Sequence, residues 1–275
     1  MEAPAAVLAG LTIGITAERR ADEQARLFTD RGATTLHGPT LRITPSGDDE
    51  GLRAATAAVV ERPPDLLLAS TGFGMRAWLD AAEGWGMRAA LLDALGRARV
   101  ANRGAKAASA NNAVGLREWY RAPDERFDEV LDAVLAEPLA GARVALQVHG
   151  TAMPRAVARL VAAGAEVVEV DAYRASLPTD RAPARALVEA ACASRVAAVT
   201  FTTAPSVHNL FVIAASAGLD GDLRRALNGP VLAACVGPVC AEGAAEEGVV
   251  APLVPERSRL VPLVHAVTER LAAAR

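Results

Sequence analysis

Residues 65–72 of the chain read DLLLASTG, and residues 196–204 read VAAVTFTTA. Both stretches are short apolar runs that end in small residues with hydroxyl groups. Such a run, bounded by turn residues, is typical of a strand buried in a parallel sheet. Thr71 and Thr203, which end the two runs, lie 132 positions apart. The chain therefore contains two similar strand-to-helix turns at a long and defined spacing.

Two more pairs of segments recur at nearly the same spacing. They are VANRGAKAA at 100–108 with ACVGPVCA at 234–241, and DRGATTL at 30–36 with AAGAEVV at 162–168. Their glycines align at offsets of 133 and 132 residues, far beyond the period of about 20–50 residues of a solenoid. Three landmarks at one offset predict an internal duplication. We expect two similar parallel-sheet α/β lobes with a cleft between them.

The remaining sequence alternates between strand-like and helix-like segments. Predicted strands lie at 11–16, 34–37, 66–70, 100–102, 144–148, 166–170, 197–202 and 231–236. Predicted helices lie at 22–31, 75–82, 106–113, 153–163, 207–217, 240–247 and 260–273. Alternation of this kind is typical of βαβ units and parallel sheets.

Composition restricts the partners and the compartment. The net charge is −3 and the pI is about 5.9, so no general attraction to nucleic acid or an anionic membrane is expected. The three cysteines are an odd number without a C-x-x-C pair, which argues for a reducing compartment and against a disulfide framework. A basic leader segment and an apolar run of about 20 residues are both missing. We expect a cytoplasmic protein.

Several cofactor and catalytic motifs are missing from the sequence. The segment GFGMRA at 72–77 lacks the third glycine of a dinucleotide-binding fingerprint. Walker A, G-x-S-x-G and H-E-x-x-H patterns do not occur, and the four histidines lack metal-ligand spacing. We therefore expect a protein without metal or cofactor.

The predicted strand ends share one type of chemistry. Five of them carry hydroxyl groups or glycines at a strand-to-helix turn: 70–72, 104, 149–151, 202–204 and 237. Ligands of open parallel sheets bind beyond the carboxyl ends of the strands, and helix N-termini favour anions. These turns are candidate anion sites, although each could also be an ordinary helix cap.

Six segments, in this order, resemble the uroporphyrinogen-III synthase family, in particular its long actinobacterial-type members. They are the strand that ends at Ser70-Thr71, RGAKA at 103–107, VALQVHG at 144–150, GAEVVEVDAYR at 164–174, TFTT at 200–203 and CVGP at 235–238. The resemblance extends from about residue 10 to about residue 270.

The resemblance implies a particular division of the chain. One lobe would comprise residues 1–40 and 178–275, and the other residues 46–170, joined by antiparallel linker strands within 39–49 and 173–183. A plain tandem repeat would instead divide the chain near residue 135.

The resemblance also implies an activity. Enzymes of this family close linear hydroxymethylbilane into uroporphyrinogen III, inverting the last ring and losing water, in tetrapyrrole and heme biosynthesis. The substrate carries eight carboxylates and suits a site rich in N–H groups. We expect a carbon–oxygen lyase that acts as a monomer on this linear tetrapyrrole, with no partner among metals, membranes or nucleic acids.

The residue roles follow from the same resemblance. Tyr173 would donate a proton to the leaving hydroxyl group. Residues expected to bind the substrate are Arg19, Ser70, Thr71, Gly72, Arg103, Gly104, Lys106, His149, Gly150, Thr202, Thr203, Gly237, Pro238, Val239 and Cys240.

The chain also departs from the family pattern. Ala107 and Cys240 stand where the family commonly has threonine, and His149 stands where a basic residue often ends the strand. Two alternatives to the lyase therefore stay open. One is a regulatory module of the same fold that senses tetrapyrroles with little turnover, and the other is a two-lobed protein that binds another small anion.

Overall fold

The computed structural model describes residues 6–47, 49–150 and 152–274. The chain divides into two compact units. Unit 1 comprises Met1–Arg42 and Ser176–Arg275, and unit 2 comprises Ile43–Ala175. Each unit has its own parallel sheet with helices on both faces, which confirms the predicted α/β class.

The helices and strands alternate along most of the chain. In order they are β1 (Thr12–Ile15), α1 (Ala21–Thr29), β2 (Thr34–His37), β3 (Arg42–Pro45), α2 (Glu50–Glu61), β4 (Leu66–Ala69), α3 (Gly72–Gly84), α4 (Arg88–Gly96), β5 (Arg99–Asn102), α5 (Ala105–Asn112), β6 (Glu118–Arg121), α6 (Phe127–Leu135), β7 (Arg143–Gln147), α7 (Pro154–Ala162), β8 (Glu166–Val170), β9 (Tyr173–Ser176), α8 (Ala182–Cys192), β10 (Ala198–Phe201), α9 (Ala204–Ser216), α10 (Asp220–Leu227), β11 (Leu232–Cys235), α11 (Pro238–Glu246) and α12 (Leu260–Ala273).

The two sheets share one strand arrangement. Unit 1 has the order β11-β10-β1-β2 and unit 2 has β6-β5-β4-β7-β8, with every neighbouring pair parallel. In unit 1, an isolated parallel bridge joins Ala234 to Leu253 beside β11. In unit 2, Ala101 pairs with Tyr120 of β6. Ala101 lies 133 positions before Ala234, and Tyr120 lies 133 positions before Leu253. The sequence offset is thus also an offset between equivalent places in the two sheets.

A separate two-stranded sheet pairs β3 with β9. Its strands lie where the chain passes between the two units, because unit 2 begins at Ile43 and ends at Ala175. Both passages of the chain are therefore hydrogen-bonded to each other.

Strand β4, at the centre of its sheet, is apolar throughout because helices cover both faces of the sheet. In β4, Leu67 and Ala69 pack in one core cluster with α2, α3 and α4, whereas Leu66 and Leu68 pack in another with α6 and α7. Alternate residues of a strand point to opposite faces. An alternating apolar–polar pattern is therefore missing from this strand, and its polar residues begin only at the carboxyl end.

Candidate active site

In unit 2, the carboxyl ends of β5, β4 and β7 lie side by side. Ala69 at the end of β4 is in register with Asn102 of β5 and Gln147 of β7. The residues that follow therefore emerge along one edge of the sheet, where ligands of parallel α/β proteins bind. The predicted site residues along this edge are Ser70, Thr71, Arg103, His149 and Gly150.

Thr71 joins three parts of this edge. Its Oγ1 accepts a hydrogen bond from the backbone N–H of Gly74 at 3.0 Å and so caps helix α3. The same hydroxyl donates to the phenol oxygen of Tyr173 at 3.4 Å. The backbone N–H of Thr71 donates to Gln147 Oε1 at 2.9 Å. The backbone of Thr71 is therefore held by Gln147, while its side-chain hydroxyl contacts the phenol of Tyr173.

Tyr173 is the first residue of β9 and is 6% exposed. Its ring meets the ring of Phe73 edge-on, with centroids 5.0 Å apart. Gly150 also lies against this ring, since a Cβ added there would come within 2.6 Å of Tyr173 Cε2. Because Tyr173 accepts the bond from Thr71, its own O–H is not the donor in that bond. The packing holds the phenol at the carboxyl edge of the sheet.

Two basic side chains accompany the phenol. Burial lowers the pKa of the Arg103 guanidinium, whereas nearby Tyr173 and Glu125 raise it. Burial, together with the charge of Arg103, lowers the pKa of His149 to about 4. At neutral pH, His149 is uncharged and Arg103 supplies the positive charge of this edge.

Two polar atoms of this edge are buried without a partner among the described residues. They are the Ser70 hydroxyl, on a residue 2% exposed, and His149 Nδ1. Buried polar groups are nearly always hydrogen-bonded, so these atoms have hydrogen-bonding capacity to offer a ligand.

Three further predicted residues lie at the starts of α3 and α5. Gly72 contacts α5 closely, because a Cβ on Gly72 would lie 2.1 Å from the carbonyl oxygen of Lys106. The Lys106 side chain belongs to an exposed residue. Gly104 is the N-cap of α5, and a Cβ there would lie 2.8 Å from Glu125 Cδ. Close packing against backbone therefore requires glycine at 72, whereas at 104 an added Cβ would meet only the end of the exposed Glu125 side chain.

In unit 1, Thr203 occupies the place that Thr71 has in unit 2. It is the N-cap of α9, and its Oγ1 accepts from the N–H of Ser206 at 3.3 Å. Thr203 is exposed and Thr202 is half-buried. The hydroxyl of Thr203 is thus accessible while it caps the helix.

The other predicted residues of unit 1 lie on two turns. Gly237 is the N-cap of α11, which begins with exposed Pro238 and Val239. Cys240 is buried. A hydrogen bond with the Cys240 thiol and, to a lesser extent, burial raise the pKa of the Cys235 thiol. A further turn, between β1 and α1, carries Arg19, which is exposed.

Gln147 and Glu125 are functional candidates that the sequence analysis missed. Gln147 is fully buried and orients the N–H of Thr71. The feature of the sequence that could have pointed to Gln147 is its position as the one polar residue in the apolar run VALQV at 144–148. Glu125 Oε1 accepts from the N–H of Ala105 at 3.2 Å. Its position in a loop 20 residues downstream of that helix start could not be read from the pattern.

Residues 6–47, 49–150 and 152–274 contain no group of three or more His, Cys, Asp or Glu side chains arranged to hold a metal ion. Within the same ranges, every helix is too short or too polar to cross a membrane.

Known proteins share this architecture over almost the whole chain. The structure of a mutant uroporphyrinogen III synthase from Thermus thermophilus is 28% identical and superposes with a TM-score of 0.77, covering 97% of this chain and all of that one. Uroporphyrinogen-III synthetase from Helicobacter pylori, at 11% identity and a TM-score of 0.53, shares the fold over 96% of this chain and 100% of that one.

Sequence comparison points the same way. The uncharacterized protein YjjA of Bacillus subtilis (strain 168) is 27% identical over 257 residues, which are 94% of each chain. The family model described as uroporphyrinogen-III synthase HemD matches residues 22–265. Because that match spans most of the sequence, the chain belongs to the uroporphyrinogen-III synthase family.

Proposed function

We propose that this protein is an active uroporphyrinogen-III synthase, which closes hydroxymethylbilane into uroporphyrinogen III with inversion of the last ring and loss of water. The observation that carries the proposal is the phenol of Tyr173, held by Thr71 and Phe73 at the carboxyl edge of a sheet with this family's fold. We propose that the reaction needs no cofactor and takes place in the cytoplasm, where three free cysteines are stable.

In the proposed reaction, Tyr173 donates its proton to the hydroxyl group of the substrate, which departs as water. The positive charge of Arg103 stabilises the phenolate that remains. Thr71 contributes by donating to the phenol oxygen, a bond that becomes stronger when this oxygen is charged. General-acid catalysis of this kind contributes about 100- to 10,000-fold in rate.

Orientation contributes the rest of the rate. The bond must form at the substituted carbon of the last ring, since reaction at the free position gives the uninverted type I isomer. Holding both reacting ends in place supplies up to about 7–11 kcal/mol in well-oriented systems. Thr203, Lys106 and Arg103 would hold substrate carboxylates, at about 1.5–3 kcal/mol for each bond to a charged group.

A tetrapyrrole-sensing module remains the second candidate. Ala107 and Cys240 have no hydroxyl group to offer at their strand-to-helix turns, and both are buried, at 1% and 3% exposed. A protein with fewer donors would bind the substrate yet hold its last ring less firmly.

Product analysis distinguishes the two candidates. Hydroxymethylbilane closes spontaneously to the type I isomer, so a protein that only shelters it cannot yield type III. We expect incubation with the protein, oxidation and separation of the uroporphyrin isomers to give mainly type III. Binding of the substrate with only type I product would reject the synthase and leave the sensor.

A further inference from the structure

The start of helix α5 already carries a carboxylate from the protein itself. Glu125 lies in the loop between β6 and α6, and its Oε1 accepts a hydrogen bond from the N–H of Ala105, the first residue of α5, at 3.2 Å. The missing side chain of Gly104 makes room for this carboxylate, since a Cβ there would lie within 3.0 Å of Glu125 Oε1. The helix start thus has an observed anionic occupant.

The same carboxylate faces the charged part of the candidate site. Burial lowers the pKa of the Arg103 guanidinium, and the negative charge of Glu125, together with Tyr173, opposes that shift. Glu125 therefore interacts with a helix N-terminus and a cation, two groups that attract carboxylates. Glu125 is itself exposed to solvent, so its side chain can leave this position without crossing a packed core.

The negative charge at this position is particular to unit 2. In unit 1, the equivalent residue is Ser258, because Glu125 and Ser258 are 133 positions apart, as are Gly104 and Gly237. Ser258 also covers its helix start, since a Cβ on Gly237 would lie 2.4 Å from its Oγ. A neutral side chain therefore suffices for the fold here, and the carboxylate of Glu125 calls for another explanation.

We propose that Glu125 is an internal carboxylate that occupies the place of one substrate carboxylate at the start of α5 and leaves it when the substrate binds. The inference rests on the proposed function, because a ligand with eight carboxylates can replace one carboxylate by another. Because one carboxylate replaces another at the start of α5, this contact adds little to the binding free energy of the substrate. Glu125 thereby weakens the hold on every polycarboxylate ligand, including the product, and disfavours ligands with few carboxylates.

A matched pair of variants tests the exchange. Glu125→Gln and Asp124→Asn each remove one negative charge from the same loop, but only Glu125 accepts from Ala105. The probe is uroporphyrin III, the stable oxidised form of the product, titrated by its fluorescence. We expect Glu125→Gln to bind about 3- to 10-fold more tightly than Asp124→Asn, equivalent to roughly 0.7–1.4 kcal/mol. Equal or weaker binding by Glu125→Gln would overturn the proposal.

A second variant guards against a folding defect. Glu125 has a φ of 58°, a left-handed conformation that glycine adopts at little cost. Glu125→Gly should therefore fold and should also bind uroporphyrin III more tightly than Asp124→Asn. In NMR spectra, the Ala105 amide should shift on adding the porphyrin to wild type, and an Ala105 signal that does not respond would overturn the exchange. Failure of the wild type and all variants to bind the porphyrin would instead reject the proposed function together with this inference.

Discussion

At the scale of single residues, the Tyr173 phenol is distinguished by what surrounds it. The ring is buried against Phe73 and Gly150, and the phenol oxygen already accepts from Thr71. Removing the hydroxyl group therefore changes the chemistry of the site while leaving the packing of the ring in place.

We expect Tyr173→Phe to lower the rate of type III formation by about 10- to 100-fold, at the lower edge of general-acid effects because orientation is retained. Affinity for uroporphyrin III should change little. The protein's other tyrosine, half-buried Tyr120 on β6, provides the control Tyr120→Phe. Full activity in Tyr173→Phe would show that Tyr173 is not the proton donor and that orientation of the substrate accounts for the rate.

His149 should make stability depend on pH. Its pKa in the folded protein is about 4, below the ordinary value of about 6.5, so the folded state binds fewer protons than the unfolded state. His149 therefore lowers the free energy of unfolding at acid pH. This loss is absent above pH 6.5, grows as the pH falls from 6.5 to 4, and reaches at most about 3 kcal/mol.

We expect His149→Gln to make the free energy of unfolding fall less steeply between pH 6.5 and 4, as measured by urea titration. His265→Gln, at an exposed histidine of α12 that pairs with Glu269, is the control. An identical pH profile for wild type and His149→Gln would show that this histidine is not desolvated.

At the scale of elements, the turn after β7 links backbone shape to the site. Gly150 has a φ of +83°, and a side chain there would collide with Tyr173. Gly141, in the turn before β7, has a φ of +77°, and a Cβ added there would enter open space. Both positions need a left-handed backbone, but only the first is pressed against a candidate catalytic side chain.

Gly141→Ala should lower the free energy of unfolding by about 1–2 kcal/mol through backbone strain alone. Gly150→Ala should cost more than that, and it should also slow type III formation because the phenol is displaced. Urea titration and isomer analysis measure the two effects. Equal costs for the two variants, with unchanged activity, would show that Tyr173 is not held by this turn.

Element prediction succeeded where the pattern is local. All eight predicted strands correspond to observed strands, because short apolar runs between turn residues have few other uses. Helices α3, α9 and α11 start two or three residues earlier than predicted, since Gly72, Pro205 and Pro238 belong to first turns rather than interrupting them. Strand β6 and helices α2, α4, α6, α8 and α10 were missed. In β6 and α10, charged residues make up half of the segment.

At the scale of the whole molecule, the two units differ in how the chain builds them. Unit 2 is one continuous segment. Unit 1 pairs β1 with β10, so that Ile13 lies beside Ala198, 185 positions away. If residues 43–175 fold first, and β3 pairs with β9, the loop that unit 1 must close becomes several-fold shorter. That shortening lowers the entropic cost of closure by about 1 kcal/mol.

We therefore expect unit 2 to fold before unit 1. In pulse-labelling hydrogen exchange during refolding, amides of β4 and β7 should become protected before those of β1 and β10. Leu67→Ala in unit 2 should delay protection in both units, whereas Val199→Ala in unit 1 should delay only unit 1. Protection of β1 and β10 first would contradict this order.

The sequence by itself determined the α/β class and the family, together with the places where hydroxyl groups and glycines meet a helix start. These features depend on local periodicity and on turns a few residues long, so they can be read from neighbouring positions. Only the tertiary structure decided the partners across the site. Tyr173 meets Thr71 across 102 positions, and Gln147 meets the N–H of Thr71 across 76. Glu125 reaches the start of α5 because neighbouring parallel strands end at the same edge of the sheet. This proximity cannot be predicted from a local sequence pattern.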